Sequence, residues 1–168
     1  ALGTSGSSYA GGVAIGSNTT ISASALGASG NGGTVNVTGS NWLRAHGKIN
    51  ASSAGGTGGN VETSAPSFDL AGIRVNASGS SVAGTWLIDP HDVTIIHGSA
   101  AGTLPTNPFT PINNATIQDG DINAALDAGA NVTITTGSAT SGGAPGNVLF
   151  TEVLVGNSYV QPAISRTT

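Results

Sequence analysis

The sequence contains no cysteine, only four lysines and arginines together, and aromatic residues at 4% of 168 positions. Without cysteine there is no disulfide and no thiolate metal site. The four cations, Arg44, Lys48, Arg74 and Arg166, are scattered singly. They cannot neutralise a run of phosphates, so nucleic acid is excluded as a partner. No apolar run approaches the roughly 18 residues of a membrane-spanning helix, so no membrane insertion is expected. The N-terminus shows no basic stretch followed by an apolar one, the mark of a secretory leader. Charged residues reach only 7%, which leaves no ordinary charged shell over an aromatic core. Disorder is excluded in turn, because it goes with low hydrophobicity and high net charge, whereas the apolar fraction here is 38% and the net charge −4. What remains is one domain with a thin, repetitive core.

Glycine occurs 27 times, amid Ser, Thr, Asn and Ala. With so little lysine and no cysteine, this composition points to an extracellular bacterial protein. A period underlies it. The tetrads Ile49-Asn50-Ala51-Ser52 and Val75-Asn76-Ala77-Ser78 lie 26 positions apart, as do Val35 and Val61. Between these anchors come short apolar beats of alternating polarity, such as Val35 and Val37 or Ile73 and Val75, which is the pattern of half-buried strands. Gly pairs at 32–33 and 58–59 supply the corners between them. A unit of three short strands cannot bury its inward side chains alone, but copies stacked about 4.8 Å apart pile them into ladders. The expectation is an all-β parallel β-helix, or solenoid, of about four coils over residues 1–97, on the order of 20 Å of rod.

After Ile96 the beat changes. Gly102 to Pro111 carries three prolines and reads as a loop leaving the rod. Ile117 to Gly129 reads as a short helix, with Asp119 or Asp121 capping its N-terminus, Ile122, Ala125 and Leu126 facing inward and Gly129 at the C′ position. Ala130 to Gly137 is a strand, a further strand follows in Asn147 to Gly156, and the tail from Gln161 is extended or frayed. Residues 98–168 thus form a loop, a short helix and further strands packed on or continuing the β-helix.

The stretch Gly84 to Gly98, GTWLIDPHDVTIIHG, holds the densest chemistry. Asp89, His91 and Asp92 have the composition of a general acid/base pair with a histidine. The neighbouring strands, however, offer Ser and Thr where a lyase or hydrolase wants clustered Arg, Lys and Asp. The structural account is preferred: Pro90 ends a strand, Asp89 satisfies turn amides, and Trp86 with Leu87 closes the hydrophobic column. Asp119 to Asn123 begins like a calcium loop but has Ala124 and Ala130 where Gly and Glu are required, so capping is favoured. His46, His91 and His97 read as surface residues. No Gly-x-Ser-x-Gly elbow surrounds any serine. Glycosylation sequons fall at Asn18, Asn36, Asn50, Asn76, Asn114 and Asn131. No catalytic, cofactor or metal residue is assigned.

The span GGNVETSAPSFDLAGIRVNASGSSVAGTWLIDPHDVTI, Gly58 to Ile95, followed by INAALDAGANVTITT from Ile122, resembles the end of the β-helix in filamentous haemagglutinin-like exoproteins. The likeness covers roughly residues 30–136. Gly58, Gly59, Val61, Glu62, Gly72 and Val75 match its first half. Ala83, Gly84, Thr85, Leu87, Asp89, Pro90, Asp92, Val93, Thr94 and Ile95 match its second. The segment VLFTEVLVGNSYVQPAISRTT departs from the pattern, and the family's N-terminal secretion signature is not recognisable, so an internal or truncated piece is expected. The resemblance implies a right-handed β-helix from a large adhesin exported by two-partner secretion. It further implies an outer-membrane transporter partner, a secreted or cell-surface location, and folding by addition of coils outside the cell. Such a rod is non-enzymatic and offers polar faces to a host-cell, glycan or matrix receptor. The other readings are a fibre or matrix subunit pairing with copies of itself through open β-helix ends, an ice- or carbohydrate-binding solenoid, and last an enzyme using Asp89 and Asp92.

Overall fold

The apolar beats become short parallel strands stacked coil on coil. The computed structural model describes residues 10–98, 106–136, 146–151, 153–155, 158–160, 162–164 and 166. The first coil is β1 (Gly12–Ile15), β2 (Thr20–Ser22) and β3 (Thr34–Thr38). The second is β4 (Trp42–Ala45), β5 (Lys48–Asn50) and β6 (Asn60–Ser64), and the third β7 (Ser67–Asp69), β8 (Arg74–Asn76) and β9 (Thr85–Asp89). Each strand pairs in parallel with its counterpart one coil on, giving three sheets that we call A, B and C. The chain is a parallel β-solenoid of about four turns. Val35 stands directly opposite Val61, and Ile49 opposite Val75, as the 26-residue period requires.

Alternation sorts the side chains. In sheet C, Val61 and Trp86 point inward and are buried, while Asn60 and Glu62 point outward. The inward columns Val35–Val61–Trp86–Val132 and Ile21–Ile49–Val75 run along the axis. Burying each such side chain contributes about 1.5–3 kcal/mol, the main stabilising term in a chain with so few ion pairs.

At the corner between sheets B and C the backbone closes on itself once per coil. The amides of Gly33, Gly59 and Gly84 donate to the carbonyls of Ala23, Ala51 and Ala77, each at 2.7 Å. Residues 24–32, 52–58 and 78–83 project beyond these pinches and stack into a fin. Ala25 N donates to Ser52 O (2.9 Å), Ser53 N to Ser78 O (2.8 Å) and Gly58 N to Val82 O (2.9 Å). Side chains add to this stacking: Ser53 Oγ donates to Gly30 O, and Asn31 Oδ1 accepts from Thr57 N at 3.0 Å.

The fourth turn departs from simple succession. Strand β10 (Val93–Ile96) does not pair with β7. It lies one rung further out, on β11 (Ala115–Gln118), which the chain later inserts between β7 and β10. From β11 the chain enters α1 (Asp119–Asp127), which takes the place of a strand over β8, and then β12 (Asn131–Ile134) on β9. Strand β13 (Val148–Thr151) pairs with the far side of β10, so sheet A runs β1-β4-β7-β11-β10-β13 while sheet C stops at β12. Beyond it β14 (Val153–Val155) and β15 (Ser158–Val160) form an antiparallel hairpin.

The helix is shorter than its pattern suggested, and its capping differs. Gln118 is the N-cap and makes no side-chain cap bond, while Asp119 and Asp121 lie in the first turn with other partners. Ile122 and Ala125 are buried, and Gly129 (φ +91°) ends the helix as expected. The loop reading of Gly102 to Pro111 falls partly outside the described residues, as do the turn from Gly137 and parts of the tail. The described tail is tied down: Asn123 Nδ2 donates to Ala163 O at 2.8 Å, and Arg166 Nη2 to Ala130 O at 3.0 Å.

Candidate functional site

The outer face of sheet C carries three columns that cross four rungs. They are Thr34–Asn60–Thr85–Asn131, Asn36–Glu62–Leu87–Thr133 and Thr38–Ser64–Asp89–Thr135, the last rung following from the β12 register. Most of these side chains are exposed or half-exposed. Rungs repeat about every 4.8 Å, so the face is a polar grid with a single apolar member, Leu87. Its carboxylates interact: burial raises the Glu62 carboxyl, and the charge of Asp89 raises it further. Asp89 Oδ1 accepts a hydrogen bond from Thr135 Oγ1 at 2.8 Å.

Of the motif Gly84 to Asp92, only part behaves as the sequence suggested. Gly84 packs its backbone on Gly59 O, and Thr85 begins β9. Trp86 is fully buried, with Nε1 donating to Thr63 Oγ1 at 3.1 Å, and so fills the column. Leu87 does not join it, because strand alternation turns it to the outer face. Pro90, which is buried, follows the last residue of the strand. The amide-binding role falls to Asp92 and not to Asp89. Asp92 Oδ1 accepts from Asn147 N at 2.8 Å, and His91 Nδ1 lies 2.7 Å from Asp92 Oδ2. The His91 contact and the Asn147 amide hold the Asp92 carboxyl below its ordinary value. Asp89 and Asp92 therefore have separate hydrogen-bond partners.

A second cluster lies on the outer side of sheet A, where the sequence reading saw only surface. His46 is buried, contrary to that reading, and its Nε2 sits 3.1 Å from Asp69 Oδ2. Arg44, directly opposite Asp69 in the register, is also buried. Its Nη1 donates to the carbonyls of Pro108 (2.9 Å) and Thr110 (2.6 Å), and its guanidinium stands 5.4 Å from the centre of the Trp42 ring. Burial pushes the Asp69 carboxyl up, but His46, the Ala71 amide and Arg44 outweigh it and hold it below the ordinary value. Trp42, Arg44 and His46 alternate with the inward Leu43 and Ala45. The strap of residues 108–110 that covers Arg44 was not visible in the sequence.

The third cluster closes the α1 end. Asp121 is fully buried, accepting from Gly72 N at 2.9 Å and Arg74 Nη1 at 2.6 Å. Burial nevertheless wins and raises its carboxyl. Asp119 gathers four donors: the amides of Gly98, Gly120 and Ala163, each at 2.8 Å, and His97 Nδ1 at 3.0 Å. Burial raises its carboxyl, yet these donors together bring it below 3.8. Both carboxylates are engaged by protein groups. A depressed folded-state value means that stability from Asp119 is present above 3.8 and is lost as pH falls through the lower folded value. Asp119→Asn is expected to lower Tm at pH 6, with the gap to the unsubstituted protein closing below pH 3.8, as followed by circular dichroism.

Among the sequons, Asn18, Asn36, Asn114 and Asn131 are exposed. Asn50 and Asn76 are half-buried, and their Oδ1 atoms accept the amides of Ser52 (3.0 Å) and Ser78 (2.9 Å). Among the described residues no group of three His, Asp or Glu side chains is placed to hold a metal ion. Among the described residues no helix is long and apolar enough to cross a membrane. No family model, curated protein or solved structure matches this chain.

Proposed function

We propose that this chain is a segment of a large secreted or surface-attached bacterial adhesin, a non-enzymatic rod that offers a polar sheet face to a receptor. The observation that carries the reading is the four-rung outer face of sheet C, held by parallel pairing and lined by Thr, Asn, Ser and three carboxyl or aliphatic side chains. Such a surface makes many weak polar contacts over an extended partner, a glycan or a matrix protein, in place of one deep pocket. The rigid core beneath it limits the ordering cost of binding. Likeness to haemagglutinin-like exoproteins supports the same reading and adds an outer-membrane transporter as the export partner.

The test is an immobilised array of glycans and matrix proteins. The unsubstituted chain is expected to bind at least one member. The double variant Thr85→Lys, Asn131→Lys, which alters one column without touching the core, is expected to lose about tenfold in affinity, about 1.4 kcal/mol, with Tm unchanged. No binding to any member, or equal binding by the variant, counts against the reading.

A further inference from the structure

The α1 end of the solenoid is terraced. Sheet C stops at β12, sheet B is covered by α1, and sheet A runs two rungs further to β13. Among the described residues β13 pairs only with β10, and its other backbone edge has no strand partner among them. It has none of the usual safeguards of an edge strand: Val148-Leu149-Phe150-Thr151 contains no charge, no proline and no glycine. Val148, Leu149 and Phe150 are 42%, 57% and 54% exposed, the one run of consecutive large apolar residues left open among the described ones. Register places Val148 and Phe150 on the inward side, opposite buried Val93 and Ile95, and Leu149 on the outer side.

We infer that β13 is a self-association edge: two copies of the chain pair tail to tail, antiparallel, about a two-fold axis centred on Leu149. The sequence of the strand is complementary to itself in this register. Antiparallel pairing about that axis sets Leu149 against Leu149 of the second copy on the outer side, and Val148 against Phe150 of the second copy on the inner side. Asn147 meets Thr151 at the polar rim. All three exposed apolar residues then find apolar partners, and the inward columns continue across the junction. Shifting the register by one residue sets the inner side of one copy against the outer side of the other.

Head-to-tail stacking, which would build a fibre, fits this end poorly. The first coil of a second copy presents β1, β2 and β3 at one level, whereas sheets A, B and C end here on different rungs, with α1 covering the middle one. The closed pair needs only β13. It adds to the adhesive reading without depending on it, since two rods joined at their ends double the receptor-binding faces.

Sedimentation velocity of the 168-residue chain from low micromolar to near-millimolar concentration tests the inference. The mass is expected to rise from 16.2 kDa towards twice that value. Leu149→Lys, which sets two cations against each other at the axis, is expected to hold it at 16.2 kDa with an unchanged circular dichroism spectrum. As a second measurement, Leu149→Cys introduces the only thiol in the chain. Paired residues at the axis have Cα atoms about 4.5–5.5 Å apart, within disulfide reach, so mild oxidation should give a covalent dimer about tenfold faster than Val82→Cys on the fin. A strict monomer, filaments, a dimer that survives Leu149→Lys, or equal cross-linking from both cysteines overturns the inference.

Discussion

Trp86→Ala is expected to destabilise the chain by about 3–5 kcal/mol, the largest effect of any single truncation in the core. Trp86 is fully buried in the sheet C column, with Val61 on one side and Val132 on the other. Its neighbours are fixed by backbone pairing along the whole rod, so they cannot close in on the space left behind. The substitution also removes the donor to Thr63 Oγ1, a hydroxyl with no solvent exposure. That hydroxyl keeps only a long contact of 3.5 Å to Leu87 O. Trp86→Phe retains most of the volume and loses the hydrogen bond, which should cost about 1 kcal/mol beyond the change in size. Leu87→Ala, one residue away but facing outward, should stay below about 1 kcal/mol. Urea unfolding of the three variants reads the difference directly. Similar losses for Trp86→Ala and Leu87→Ala would mean that the inward column does not carry the stability assigned to it.

Gly59→Ala should be nearly as damaging, by a different route. A Cβ at this position meets Gly33 O in the coil before and Ala51 O in its own, both backbone atoms, so no flexible side chain can move aside. The same site donates from Gly59 N to Ala51 O at 2.7 Å, and Asn60 N next to it donates to Gly33 O at 3.0 Å. Adding one methyl group therefore forces the coils apart where they are pinned. Overpacking of this kind costs about 3 kcal/mol, at the top of the usual range. Gly27→Ala, on the exposed outer part of the fin, is the matched control and should remain within about 0.5 kcal/mol. Thermal unfolding of both variants measures the contrast. Equal tolerance at the two sites would show that the glycine column has no packing role.

The repeat was legible because strand stacking converts a constant spacing into direct contact. Val35 and Val61 could be paired from their separation alone, and so could the tetrads at Ile49 and Val75. Helix α1 was legible through the helical spacing of Ile122 and Ala125. Its cap was not, because Asp119 is drawn to Gly98 and Ala163, whose positions depend on the tertiary path. The same limit applies to His46 and Arg44. His46 reads as a surface residue yet is buried, and Arg44 is covered only by a strap more than sixty residues later. Asp89 shows the converse: its place at a strand end suggested bonding to turn amides, whereas its partner is Thr135 on the next rung. Strand order in the fourth turn lies furthest from local pattern. Val93 to Ile96 reads as a strand either way, and nothing in those residues says which neighbour it will accept.

That exchange of β10 and β11 sets a timetable for assembly. Once the first coil is formed, a chain emerging from its N-terminus can seat each strand from β4 to β9 as soon as it appears, because the matching rung is already in place. When β10 emerges, the exposed edge of β7 is vacant and of the same polarity, yet the final neighbour of β7 is β11, which arrives only after a long excursion. Until Gln118 is out, the growing edge faces a choice between waiting and accepting the wrong strand, and any early pairing has to be undone before β11 can enter. Coil-by-coil growth thus acquires one checkpoint, and a chain halted just after Ile96 would present β7 and β10 to each other with nothing to keep them apart.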